Sequence, residues 1–358
     1  METMWKAVEV DAWIAGRRSS LEEARATVTG IIDRVQNDGD TALRQLSRHV
    51  ELKEIAVSDR EREAAYDAVD KKIVKSLADA KARIERFHEL QRPRDLWLEE
   101  VGPGMVLGIK TTPLSRVGLY IPGGRAAYPS SALMCAIPAR VAGVPGICAC
   151  SPPPISPMTL VALDLAGVTE IYRSGGAQAI AAMAIGTETI PPVQKIVGPG
   201  NIYVTLAKMM LREMVEIDFP AGPSEIGIIA DHTADPRIVA ADVLAQAEHD
   251  PDAACILITT DADLPEKVGR EVAAMTAKAQ RKEIIEQALK NSGYMVVRDL
   301  DEAIAASDAV APEHLSIQVE DPLPVVMRVR NAGAIFVGRY SAVACGDYAV
   351  GTNHVLPT

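Results

Sequence analysis

Between residues 20 and 91 the apolar positions recur at helical spacing, with Leu21, Ala24, Val28, Ile31, Ile32 and Val35 tracing one stripe and charged residues filling the rest of the circumference. Asp38-Gly39-Asp40 breaks the stripe as a turn. Further helices are predicted over about 40–48, 59–70 and 72–90, the last ended by Arg92-Pro93. From Arg116 the pattern changes to short apolar runs that end in glycine-rich turns and open into helices, as parallel βα units do. The runs Val117 to Ile121, Gly146 to Cys150, Glu170 to Arg173 and Lys195 to Val197 read as strands. Helices follow them from Pro129 to Ala142, from an N-cap at Ser156 with Pro157 at the first helical position to Ala166, after Ser174-Gly175-Gly176-Ala177-Gln178, and from Asn201 to about Arg212. Beyond Phe219-Pro220-Ala221-Gly222-Pro223-Ser224 a second series begins, with strands at Glu225 to Ala230, Ala254 to Thr259, Tyr294 to Val297, the alternating Leu315, Ile317 and Val319, and Ala334 to Gly338.

The chain has 358 residues, enough for two domains without disulfide or metal staples. Aromatic residues make up only 4% while small and branched aliphatics abound, which suits alternating helices and buried parallel strands, so the fold class is α/β. A formal net charge of −11 argues against nucleic acid or an anionic membrane as partner, since both favour basic surfaces, and points to a small-molecule enzyme. Cys135, Cys148, Cys150, Cys255 and Cys345 are odd in number and lack CxxC spacing, so they read as thiols in a reducing compartment. No basic-then-apolar leader opens the chain, and no run of 18 apolar residues occurs; a soluble cytoplasmic protein is expected.

Three places carry candidate chemistry. Ala241 to Asp250 reads as the end of a helix stopped by Pro251, with Gln246 and His249 one turn apart in its last turns. A neutral imidazole is a common metal ligand and a helix C-terminus favours a cation, although QxxH alone also fits a surface helix. The glycine-rich turns after Tyr120, before Gln178 and before Asn201 would lie at the carboxyl edge of a parallel sheet, where helix N-termini offer N–H groups to an anionic ligand; no GxGxxG is present, and each turn alone fits a purely conformational need. Glu313 and His314 pair a carboxylate with an imidazole beside a strand, as acid/base chemistry requires, although an exposed dipeptide would look the same. The closing Cys345-to-Thr358 stretch sets Asp347 and His354 in a glycine-punctuated loop, adding an oxygen and a nitrogen donor of kinds that zinc and other divalent metals accept.

Taken together, VGLYIPGG, SGGAQAIAA, KIVGPGNIYV, AGPSE, AQAEHDP, APEHL and GDYAVGTNHVLPT resemble the histidinol dehydrogenases, in that family's order and over nearly the whole chain. The resemblance implies a zinc-dependent oxidoreductase that takes L-histidinol to L-histidine through the aldehyde in two NAD-dependent hydride transfers, the last step of histidine biosynthesis. It implies Gln246, His249 and Asp347 as metal ligands, Tyr120, Gln178 and Asn201 as NAD contacts, and Glu313 and His314 as the catalytic pair. Ser224 and His354 join Gln246, His249, His314 and Asp347 around the substrate. It further implies two Rossmann-like parallel-sheet domains, one inserted in the other. Residues 1–19 are then an N-terminal segment, 20–117 with 225–358 the first domain, including the N-terminal helices, and 118–224 the inserted nucleotide-binding domain. A homodimer with a shared active site is expected, because family members continue past GTNHVLPT with a tail that supplies a further zinc-ligating histidine and a substrate-binding glutamate to the partner subunit. The sequence stops at Thr358, as a fragment or a tail-less protein would. Rival readings are a dehydrogenase of another small alcohol, such as a hydroxylated sulfonate, and a non-catalytic nucleotide-binding relative; zinc content and histidinol-dependent NADH formation separate them.

Overall fold

The computed structural model of the protein describes residues 5–15, 22–47, 54–123, 127–219 and 224–355. In chain order the elements are β1 (Lys6–Ala7), α1 (Val10–Ala15), α2 (Glu22–Leu46), α3 (Asp59–Asp67), α4 (Lys71–Gln91), β2 (Leu96–Gly102), β3 (Met105–Lys110), β4 (Arg116–Tyr120), α5 (Pro129–Val141), β5 (Gly146–Ser151), α6 (Pro157–Leu165), β6 (Glu170–Arg173), α7 (Gly176–Ile185), β7 (Lys195–Val197), α8 (Ile202–Met210) and β8 (Glu216–Ile217). There follow β9 (Glu225–Ala230), α9 (Pro236–Ala247), β10 (Ala254–Thr259), α10 (Leu264–Thr276), α11 (Lys282–Ala288), β11 (Gly293–Val296), α12 (Leu300–Val310), β12 (His314–Gln318), α13 (Pro322–Val326), β13 (Ala334–Val337) and α14 (Val343–Cys345). The α/β class read from the sequence is the one observed. Leu21, Gly124 and residues 220–223 lie outside the described residues.

The chain divides into two compact units, one made of residues 20–221 and 350–357, the other of 1–19 with 222–349 and residue 358. In the first unit a parallel sheet runs in the order β6-β5-β4-β7-β8, so the strand that comes first in the chain is central and the connections reverse direction between β4 and β7. Both faces are buried, which is why its strands read as unbroken apolar runs. Cys148, Cys150, Tyr172 and Ile196 face the cluster of α2, α7 and α8, while Leu119, Ile147, Ala149 and Ile171 face that of α3 to α6. Helix α2 changes direction at Gly39, whose φ of 50° and ψ of −128° are not helical, where the sequence predicts a turn. Glu188 receives the Asp40 N–H at 2.7 Å and occupies the space a Cβ on residue 39 would need. At α6, Ser156 and Pro157 hold the expected capping positions, but the serine side chain makes no cap bond.

The domain boundaries differ from those expected. Residues 20–117 group with the inserted sheet instead of with 225–358. The reason is packing: Val28, Ile32 and Val35 of α2 lie against Ile180, Ala181 and Met183 of α7, and α4 packs on α5 and α6. Periodicity identifies a buried stripe on a helix without saying which surface it covers. Residues 350–357 likewise belong to this unit, where Val355 is buried in the core.

The second unit repeats the arrangement. Its sheet runs β1-β11-β10-β9-β12-β13, all parallel, with the reversal between β9 and β12. Ile226, Ile228, Cys255 and Leu257 face α9 to α11, and Ile229, Ile256, Ile258, Leu315 and Ile317 face α1, α12 and α13. A separate antiparallel hairpin, β2 and β3, exposes apolar side chains including Leu98, Val106 and Leu107. The pattern between residues 93 and 115 predicts no element there. No helix among the described residues is long and apolar enough to cross a membrane.

Candidate functional site

The three residues expected to meet a nucleotide stand together in the first unit, at the carboxyl ends of its strands. Tyr120 ends β4 and is buried, and its hydroxyl accepts the N–H of Gly176 at 3.0 Å, at the start of α7. Burial is the main cause that pushes this phenol above its ordinary pKa. Gln178, half-buried, lies in the first turn of α7, and its Oε1 stands 2.9 Å from where a Cβ on Gly176 would be. Asn201 is the N-cap of α8, its Oδ1 accepting from Tyr203 N at 3.1 Å and Val204 N at 3.2 Å. Tyr120 and Asn201 therefore each accept backbone N–H groups at a helix N-terminus, of α7 and α8, on the carboxyl edge of the sheet, where such sheets bind ligands. Beside it, Pro122, Gly123, Ala127, Ser151, Pro154, Ser156 and Thr159 line a cavity of about 280 Å³.

The residues expected to do acid/base chemistry occupy the other unit and, unlike those expected at the nucleotide, lie at the amino edge of their sheet. His314 is the first residue of β12, in register with Ile226 of β9, and Ser224 just precedes β9 with its carbonyl bonded to Ala254 N at 3.2 Å. Helix α9 runs back across this sheet and ends at the same edge, delivering Gln246. The buried His314 Nδ1 and Gln246 Oε1 are 2.9 Å apart, and the imidazole meets Phe336 edge-on with centroids 5.9 Å apart. With the amide oxygen as acceptor, Nδ1 carries the proton and Nε2 is the basic nitrogen. Glu313, half-buried, has an Oε2 atom that is shielded from solvent and makes no hydrogen bond among the described residues. A buried carboxylate oxygen without a donor is costly unless a substrate or water completes it.

The remaining expected residues are placed less closely. His249 lies one residue past the helix's C-cap, Glu248, instead of within the last turn; its N–H still reaches the Gln246 carbonyl at 3.2 Å, and its side chain is exposed. Asp347 lies in the turn over Gly346–Val350, and its side chain is outside what the structure describes. Among the described residues no three His, Cys, Asp or Glu side chains are grouped to hold a metal. The expected donors are nonetheless chemically apt, since an amide oxygen has two lone pairs and can accept from His314 while facing a cation, and amide, imidazole and carboxylate form a mixed nitrogen and oxygen set that zinc accepts. His354 belongs to the other unit, between Asn353, whose Nδ2 donates to the Met134 carbonyl at 2.7 Å, and buried Val355.

Three sets of buried polar residues carry no signal in the sequence. On α9, one turn before Gln246, Asp242 accepts from Gln318 Nε2 at 2.9 Å and Ser316 Oγ at 3.3 Å. These join His314 as the face of β12 opposite Leu315 and Ile317, so the alternation that marks the strand also marks a polar seam. Burial pushes the Asp242 carboxyl up to about 6, against hydrogen bonds from Ser316 and Gln318 that lower it. At the opposite edge of this sheet Asp231 ties the ends of β9 and β12, accepting from Thr233 N at 2.8 Å and Glu320 N at 2.9 Å. In the first unit Lys208 and Asp218 form an ion pair at 2.5 Å with side chains only 4% and 2% exposed.

Comparison with known proteins connects the two units to one chemistry. The family model described as histidinol dehydrogenase matches residues 15–358. A histidinol dehydrogenase of Methanosarcina barkeri is 49% identical over 352 residues, covering 96% of this chain and 81% of the relative. One from Methanocaldococcus jannaschii is 46% identical over 357 residues, covering 98% and 83%. The crystal structure of histidinol dehydrogenase from Elizabethkingia anophelis superposes with a TM-score of 0.91 at 38% identity, covering 99% of this chain and 82% of that one.

Proposed function

The chain belongs to the histidinol dehydrogenase family, and from that premise we propose that it oxidises L-histidinol to L-histidine by way of the aldehyde, in two hydride transfers to NAD at a zinc-dependent site. It is an oxidoreductase of histidine biosynthesis. The observation that supports its chemistry best is the buried contact of His314 with Gln246, beside the undonated carboxylate oxygen of Glu313.

In this reading His314, its Nδ1 proton held toward Gln246, takes the hydroxyl proton of the carbinol at Nε2 as hydride leaves the carbon. Glu313 then removes a proton from the water that adds to the aldehyde, and the hydrate gives up the second hydride. Gln246, His249 and Asp347 would hold zinc. When bound, that ion supplies a template for the substrate's imidazole and amino nitrogens. Ser224 and His354 would complete the substrate's surroundings. Tyr120, Gln178 and Asn201 would hold NAD, the hydride acceptor, with its phosphates at the N-termini of α7 and α8. A homodimer is part of the same reading, supported by the exposed apolar hairpin, because patches of that kind seldom stay bare.

The test is NADH formation from L-histidinol by zinc-loaded protein that includes any coding sequence downstream of Thr358, repeated after chelation and after zinc is returned. Activity that depends on both histidinol and zinc is expected. Folded, zinc-treated protein that makes no NADH from histidinol would overturn the reading.

A further inference from the structure

The turn between β7 and α8 is restrained on every side. Gly198 has a φ of 126°, which L side chains rarely adopt, and a Cβ there would overlap the carbonyl oxygen of Tyr120, so the turn rests on the last residue of β4. Both backbone polar groups of Gly198 are held by charges: its N–H donates to Asp218 Oδ2 at 2.8 Å and its carbonyl accepts from Lys208 Nζ at 2.6 Å. The two side chains then pair with each other at 2.5 Å, almost wholly buried. Lys208 comes from the last turn of α8, and Asp218 directly follows β8. A buried ion pair of this kind adds little stability over well-packed apolar residues, because desolvating both charges offsets their attraction. What it does supply is geometry. Peptide 198, the end of β8 and the body of α8 are locked together directly before the Pro199-Gly200-Asn201 run that leads into α8.

We propose that Lys208 and Asp218 are positioning residues for the nucleotide: they fix the Gly198 peptide on Tyr120 and so hold the N-terminus of α8 and Asn201 in the conformation that receives the anionic part of NAD. The inference rests on the reading of this edge as the nucleotide site. Neither residue needs to touch the ligand, since both are occupied with the turn.

The test uses the full chain loaded with zinc and two double variants. Lys208→Met with Asp218→Leu removes the clamp without leaving a lone charge, and Lys208→Gln with Asp218→Asn keeps hydrogen-bonding groups but no charges. Hydrogen bonds to charged groups being the stronger kind, the apolar variant should bind NAD roughly 10- to 100-fold more weakly, and the amide variant about 3-fold more weakly. In both, KM for NAD should rise with Kd while KM for histidinol stays unchanged and kcat at saturating NAD is largely kept. A merely structural role would instead lower all parameters together with the unfolding midpoint. Wild-type NAD affinity in a folded apolar variant overturns the clamp alone; should that variant not fold, unchanged affinity in the amide variant overturns it. If the unmodified protein binds no NAD, the nucleotide reading itself falls.

Discussion

His314 and Glu313 adjoin in sequence but differ in their surroundings, one imidazole nitrogen being engaged by Gln246 and one carboxylate oxygen having no donor among the described residues. That difference predicts separable roles. His314→Ala should slow oxidation of histidinol and Glu313→Gln that of histidinaldehyde, each by roughly 10² to 10⁴-fold; equal losses on both substrates in both variants would indicate a shared structural role. Asp242 gives a prediction in pH. Its carboxyl, at about 6 in the folded chain, holds a proton more tightly than in the unfolded chain, so its contribution is fully present below about pH 4 and is lost as pH rises through 6. A displacement from the model value of 3.8 to about 6 corresponds to roughly 3 kcal/mol. Asp242→Asn should flatten urea stability of the metal-free protein over that window and leave it more stable at pH 7.5. Gln246 and His314 are legible in the sequence because they sit in motifs. Asp242, Lys208 and Asp218 are not, since a buried charge in an amphipathic pattern looks like any solvated one until its partners are placed beside it.

At the level of elements, most strands of both sheets are readable because burial on two faces makes them apolar runs, whereas the two-residue edge strands β1 and β8 are too short to leave a pattern. Hairpin β2–β3 is not, since both its faces are exposed and Leu98, Glu99, Leu107 and Glu100 follow no period of two that a core would impose. Two strands alone are marginally stable in water, so this hairpin needs cover. A second copy of the chain is the partner that fits the proposed dimer. Leu98→Glu with Leu107→Glu should lower the mass measured by light scattering toward that of one chain without changing the far-UV circular dichroism; an unchanged mass would place the dimer contact elsewhere. Which sheet α2, α3 and α4 cover is not legible either, since their apolar stripes fit any partner sheet.

Across the whole molecule, the sequence shows two βα series, and the structure gives both the same order of five strands, the second sheet adding β1 at one edge, while the proposed site residues lie at opposite edges of the two. The residues proposed to hold the nucleotide occupy a carboxyl edge that is open beside Pro122 and Ser151, whereas the corresponding edge of the other sheet is tied by Asp231. Opening the latter with Asp231→Ala should therefore reduce stability without changing NAD affinity, which chemical denaturation and equilibrium binding can separate. The arrangement of segments has a further consequence for biosynthesis. Residues 20–221 emerge from the ribosome as one stretch that already contains a complete five-stranded sheet, but the other unit must keep residues 1–19 waiting until 222–349 have been translated. Trp5 and Trp13, buried in its core, are thus made before residues 20–221 and can be covered only after 222–349 follow, so their indoles wait through the synthesis of the whole first unit.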